Sequence, residues 1–221
     1  MRLARKGAAE FLGTMGLLIV VVGSGIMGES LAQGNASIAL LANSLATGAG
    51  LYALIQTFGQ ISGAHFNPAV SFVEFLWKKL SFGSLGIYTL CQVAGGYLGV
   101  LIAHLMFGLA LFQVSQHDRS EPRLLLSEAV ATTGLILVIY FSGKKNVETT
   151  PTAVSLYITS AYWCTSSTSF ANPAVTIARS FSDTFAGIKP SGAPGFMVAQ
   201  IFGALLAFGA SGILGPARRK Q

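Results

Sequence analysis

The chain has 221 residues, 52% of them hydrophobic and 10% charged, against about 25% charged in a soluble globular domain. That deficit, with a mean hydropathy of +0.62, excludes a soluble protein. The 14 Lys and Arg outnumber the 8 Asp and Glu to give +6, but they sit in small clusters between apolar stretches instead of on one soluble face, which argues against nucleic acid as a partner.

The first stretch, Gly7 to Gly28, follows Arg2, Arg5 and Lys6 and carries one charge, Glu10. Its basic start resembles a secretory leader, but Glu10 interrupts the apolar region and removal would leave five spans, so it reads as a retained first span. The uncharged run from Ser30 to Val73 is 44 residues long. One span needs about 20 apolar residues, so this run is too long for one and too short for two plus loops; a full span and a half-span fit. Leu80 to His117, Leu124 to Gly143 with the single charge Glu128, Thr149 to Ala178 and Pro190 to Ala217 follow. Six full spans of an all-α membrane protein are predicted. The basic pairs Lys78–Lys79 and Lys144–Lys145 and the group Arg218, Arg219 and Lys220 then share a face with the N-terminal cluster. The positive-inside rule makes that face, and both termini, cytoplasmic. Arg119, Arg123, Arg179 and Lys189 fall on the other face with Asp118, Glu121 and Asp183. The loops Gln113 to Arg123 and Thr184 to Pro194 are expected there. Cys91 and Cys164 lie in apolar stretches and suggest no disulfide framework.

The halves are duplicated. Glu10 and Thr14 recur as Glu128 and Thr132, Asn67-Pro68-Ala69-Val70 recurs as Asn172-Pro173-Ala174-Val175, and Gln92 and Gln200 lie in the span after each copy. Three spans per half is an odd number, so the copies are inverted across the membrane. A single channel-like domain over 1–221 is expected, with repeats at 1–112 and 124–221. Asn is a favoured N-cap and Pro a favoured first helical residue, so helices are predicted to start at Pro68 and Pro173. Both starts fall inside uncharged stretches, and irregular backbone at membrane depth is tolerated only where it lines a wet cavity or is buried in protein. Two half-helices entering from opposite faces bring together two N-termini of roughly +0.5 charge each, which repels cations and protons. The amides of Asn67 and Asn172 are expected to donate hydrogen bonds to a passing oxygen.

These residues resemble the aquaporin and aquaglyceroporin family over nearly the whole chain. The resemblance rests on the paired Asn-Pro-Ala motifs, the Ser62-Gly63-Ala64-His65 lead-in and the Glu-x-x-x-Thr repeats. Half-helix dipoles facing a pore are the general account of charge exclusion in such channels. The resemblance implies six spans, two re-entrant half-helices, and a homotetramer with one pore per subunit for water and small neutral solutes. Val175 stands where most members have Arg. Carried across by their offsets from the motifs, the other filter positions are Thr47, Ser160 and Ser169. Such a filter, small and uncharged, suits polyols and urea as well as water, and leaves cation rejection to the half-helix ends alone. The run from Val175 to Asp183 resembles a bacterial subset associated with arsenical resistance, which implies passage of neutral arsenicals such as arsenite or methylated arsenic acids in a bacterial plasma membrane. Arg179 lies four after Val175 and so on roughly the same helix face, which offers a displaced filter residue as one reading; the preferred expectation is that Glu74 and Arg179, each seven after its motif Asn, form a pair near the pore mouths, either orienting solutes or pairing with local groups.

Glu10 and Glu128 carry two readings. Intramembrane carboxylates are functional by default, which makes an ion-coupled secondary transporter the rival to a pore. The alternative is structural, each carboxylate accepting from backbone N–H groups of a re-entrant loop. An enzyme reading from Gly209-Ala210-Ser211-Gly212 with His104 is weaker, because small residues at this spacing serve helix packing, as at Gly95 and Gly99. His65 reads as loop packing, Trp77 as an interfacial anchor and Trp163 as a more deeply placed span residue. No cofactor or metal is expected.

Overall fold

In the computed structural model residues 2–215 are described; the basic group Arg218, Arg219 and Lys220 lies outside them. The helices, in chain order, are α1 (Leu3–Leu31), α2 (Ala36–Ser62), α3 (Pro68–Leu76), α4 (Phe82–Met106), α5 (Pro122–Lys145), α6 (Thr150–Cys164), α7 (Pro173–Arg179) and α8 (Ala193–Leu214). Long, long, short, long is thus written twice. Five of the long helices are long and apolar enough to cross a membrane. The sixth, α6, has 15 residues and covers about 22 Å at ~1.5 Å per residue.

Local chemistry starts the helices. Asn35 accepts from the Ser37 and Ile38 N–H groups ahead of α2, and Ser81 from Ser84 N–H ahead of α4. Pro lies in the first turn of α3, α5, α6, α7 and α8, where its missing N–H costs nothing. Within each half α1 packs on α2 and α4, as α5 does on α6 and α8, and α2 against α6 joins the halves. The tightest crossings use glycine. A Cβ at Gly95 of α4 would strike the Phe11 carbonyl of α1, and one at Gly203 of α8 would strike the Ala129 carbonyl of α5. The two positions are counterparts in the repeat.

Polarity is inverted relative to a soluble fold. Glu10, Gln92, Glu128 and Gln200 are fully buried, whereas Leu90, Leu126, Val198 and Phe202 are largely exposed. Lipid is the solvent that makes this favourable, and it requires each interior polar group to find a partner inside the protein.

Candidate functional site: a cavity between two half-helices

Each short helix begins at its motif. Asn67 Oδ1 accepts from Ala69 N–H at 2.9 Å, and Asn172 Oδ1 from Ala174 and Val175 N–H at 3.0 and 3.3 Å. The two N-termini face each other and are tied crosswise: Asn67 Nδ2 donates to the Ala171 carbonyl at 2.8 Å, and Asn172 Nδ2 to the Phe66 carbonyl at 2.8 Å. One amide hydrogen of each Asn is therefore committed to the opposite half, and the second remains for the lumen.

The backbone ahead of each motif is strained in the same way twice. Ala64 and Phe66 have φ of 50° and 49°, and Ser169 and Ala171 have 51° and 47°. Non-glycine residues avoid this left-handed region unless the surroundings hold them there. The carboxylates do the holding. Glu10 accepts from Ser62 Oγ (2.5 Å), His65 N–H (3.0 Å), Phe66 N–H (2.7 Å) and Gln92 Nε2 (2.7 Å). Glu128 accepts from Ser167 Oγ (2.6 Å), Phe170 N–H (2.9 Å), Ala171 N–H (2.8 Å) and Gln200 Nε2 (2.7 Å). Gln92 also reaches Ser71 Oγ at 3.0 Å, and Gln200 reaches Thr176 Oγ1 at 2.9 Å. Neither carboxylate lines the cavity. Carboxylates closed off by four donors each and turned away from the lumen serve the loops, not a coupling ion. Ser62 and Ser167, each five residues before a motif Asn, are members of this network that periodicity alone did not single out as ligands; their equal offset was the available signal.

A cavity of about 230 Å³ runs past both asparagines, from Glu74, Ile139 and Thr150 at the α3 end to Ser169, Phe170 and Arg179 at the α7 end. Thr47, Ser169 and Val175 line it, all buried. Ser160 does not, which corrects the expected register on α6. It is exposed, its hydroxyl donates to the Tyr157 carbonyl at 2.8 Å, and Val154, Ile158 and Tyr162 present the cavity face instead. Two residues along a helix is a turn of about 200°, so Ser160 points away from the lumen when Ile158 and Tyr162 point into it. Tyr162 was missed by the offset. Its hydroxyl lies 3.3 Å from Thr47 Oγ1, bringing two hydroxyls to one level of the wall. The Ser169 hydroxyl, 3% exposed, has no partner among the described residues.

At the α3 mouth Glu74 accepts from Lys79 Nζ at 3.1 Å. His65 lines the lumen, with Nδ1 at 3.0 Å from Ser71 Oγ and its ring edge-on to Tyr88. Trp77 stacks near Tyr140, with ring centroids 4.7 Å apart, and donates to Ser211 Oγ at 3.1 Å. Ser211 in turn donates to the Phe208 carbonyl, while His104 contacts the Leu111 carbonyl and Ser182. These two residues of the enzyme reading thus have separate partners. The Cys91 and Cys164 thiols are free, and no cluster of metal-ligating residues occurs among the described residues.

The loops expected over the α7 mouth are stitched together. Gln116 N–H donates to Asp183 Oδ1 at 2.8 Å, Lys189 N–H to the His117 carbonyl at 2.7 Å, and Arg119 to the Gly187 and Ser167 carbonyls at 2.9 and 3.3 Å. Burial lowers the Arg119 guanidinium from its ordinary value, opposed by the negative charge of Glu128.

Residues 1–171 match the major intrinsic protein family. The chain is 49% identical over 205 residues to the aquaglyceroporin AqpS of Rhizobium meliloti (strain 1021), covering 93% of this chain and 88% of that one. It is 30% identical over 142 residues to the aquaporin TIP1-2 of Zea mays, covering 62% of this chain and 56% of the relative. The fold superposes on the X-ray structure of the aquaglyceroporin from Plasmodium falciparum with a TM-score of 0.79 at 19% identity, over 96% of this chain and 97% of the other. With the paired half-helices, their carboxylate-braced loops and the cavity between them, the chain belongs to the major intrinsic protein family and is a passive membrane channel for water and small solutes, not an enzyme.

Proposed function

We propose that this channel is an aquaglyceroporin-type pore that passes water, glycerol-like polyols, urea and neutral arsenicals such as arsenite or methylated arsenic acids. The observation that carries the reading is the composition of the wall beyond the asparagines: hydroxyls from Thr47, Tyr162 and Ser169 together with the apolar Val175. A polyol has one face of oxygens and one of carbon, and such a wall offers each face its complement. The unpartnered Ser169 hydroxyl supports the same reading, because a buried polar group with no protein partner gains a hydrogen bond when a polar solute passes. Val at position 175 leaves room that a guanidinium there would fill. Neutral arsenic acids are small polyhydroxy solutes of similar form, and the relative from Rhizobium meliloti carries the name aquaglyceroporin.

The half-helix N-termini supply the barrier to protons, each contributing roughly +0.5 charge at the level of Asn67 and Asn172. Glu74 and Arg179 are the mouth residues of this reading, one at each end of the cavity. This reading puts the pore in a bacterial plasma membrane as a homotetramer, with the four basic clusters of the sequence, and so both termini, cytoplasmic. The test is flux through liposomes containing the purified protein. Glycerol, urea and arsenite are expected to equilibrate downhill along with water. Water flux without any of the three rejects the wide-filter reading, and uphill accumulation under an ion gradient rejects the passive one.

A further inference from the structure

The turn of α7 that brings Val175 to the lumen also brings Arg179 there, four residues further from Asn172. Arg179 is 2% exposed. Its Nε donates to the Ala186 carbonyl, and its guanidinium carbon lies 3.4 Å from the centre of the Phe170 ring. The two terminal nitrogens donate to no protein acceptor among the described residues, and no carboxylate there forms an ion pair with the group. Arg119 lies over the same ring at 5.2 Å, likewise bonded to carbonyls and likewise without an acidic partner among the described residues. Two positive charges, neither held in an ion pair among the described residues and both acted on by Glu128 only at longer range, therefore gather on Phe170 at the α7 end of the cavity. A buried arginine normally closes its donor set on protein oxygens or a carboxylate. Here the open donors belong to a side chain that lines the passage.

We propose that Arg179 is the charge-selecting residue of this pore: it repels cations at the α7 mouth and presents its free N–H groups to the oxygen atoms of solutes on their way to Asn172 and Asn67. The proposal rests on the channel reading above. It replaces the sequence expectation that cation rejection falls to the half-helix ends alone. Val175 widens the passage at its own level, and the charge is retained one turn outward, where the guanidinium lies over the Phe170 ring and is tied to the Ala186 carbonyl. Arg119 does not line the cavity and adds to the field from 5.2 Å off the centre of the same ring.

The test uses liposomes containing the full chain, with water, glycerol and Na⁺ fluxes measured on the same preparation. Wild type is expected to pass water and glycerol and to exclude Na⁺. Arg179→Met and Arg179→Gln remove the charge, and Gln keeps an amide donor within the site in case Met does not fold. In either variant Na⁺ permeability is expected to rise between about fivefold and about a thousandfold, the limits for removing a unit charge ~4 Å from the ion at an effective ε of ~80 and ~20. Water flux is measured on the same preparation to show that each variant forms a conducting channel, and Arg179→Lys is expected to remain closed to Na⁺. A water-conducting Met or Gln variant that excludes Na⁺ as wild type does overturns the proposal while leaving the channel reading standing. An inert wild type overturns both.

Discussion

Glu128→Gln is the most direct test of how the second re-entrant loop is held. The carboxylate accepts four hydrogen bonds, from Ser167 Oγ and Phe170 N–H on one oxygen and from Ala171 N–H and Gln200 Nε2 on the other. A glutamine of the same shape has one acceptor oxygen and one donor NH₂. Turned either way, it leaves a backbone N–H, that of Phe170 or of Ala171, facing a donor. Both residues are buried, and a buried donor left without an acceptor costs about 1–3 kcal/mol. For a chain of this size that is a fall of about 2–12 °C in Tm. Loop geometry should suffer as well, because Ser169 and Ala171 sit at positive φ and the Ala171 carbonyl receives Asn67 Nδ2. The assay is thermal unfolding of the purified protein in detergent, paired with stopped-flow water flux in liposomes. Lower melting with reduced downhill flux is expected, and Glu128→Ala, which removes both acceptor oxygens, should be worse. Unchanged melting and unchanged flux in Glu128→Gln would refute the bracing role.

Glu10→Gln is expected to behave as Glu128→Gln does, since His65 and Phe66 N–H occupy the matching places; a stability loss confined to one half would break the proposed equivalence. Val175→Arg should preserve water flux and abolish glycerol, urea and arsenite flux, and identical permeabilities would mean that Val175 does not border the constriction. Tyr162→Phe deletes the hydroxyl beside Thr47 and should lower glycerol flux by roughly two- to tenfold with little change in water, the effect of one hydrogen bond of about 0.5–1.5 kcal/mol; Ser160→Ala, on the outward face of α6, should change neither. Gly203→Ala drives a methyl group into the Ala129 carbonyl and should destabilise by about 1–3 kcal/mol through overpacking, measurable as lower melting, whereas Gly209→Ala meets open space and should be neutral.

Much of this architecture is legible in the chain because it is set by local chemistry. Charge-free length marks the spans, and Asn followed by Pro marks a helix start wherever it occurs. A start inside a charge-free run points away from the membrane surface, so the sequence by itself predicts that Pro68 and Pro173 begin helices at mid-membrane. Duplication matches Glu10 with Glu128 and Gln92 with Gln200, and the structure joins Glu10 to Gln92 and Glu128 to Gln200 in two equivalent braces. The rotation of α6 about its own axis was not legible. The offset of twelve residues from Asn172 crosses a non-helical stretch from Thr165 to Ala171, and a small change in the path of such a stretch turns the preceding helix by whole residues. That is why Tyr162, not Ser160, meets Thr47. The meeting of Arg119, Phe170 and Arg179 was also hidden, because the three come from different segments and only the folding of the loops over α7 brings them to one ring. Capping and hydropathy act within a few residues and can be read along the chain, whereas the face a helix shows to the lumen and the company a charge keeps depend on packing between distant segments, which the tertiary structure alone decides.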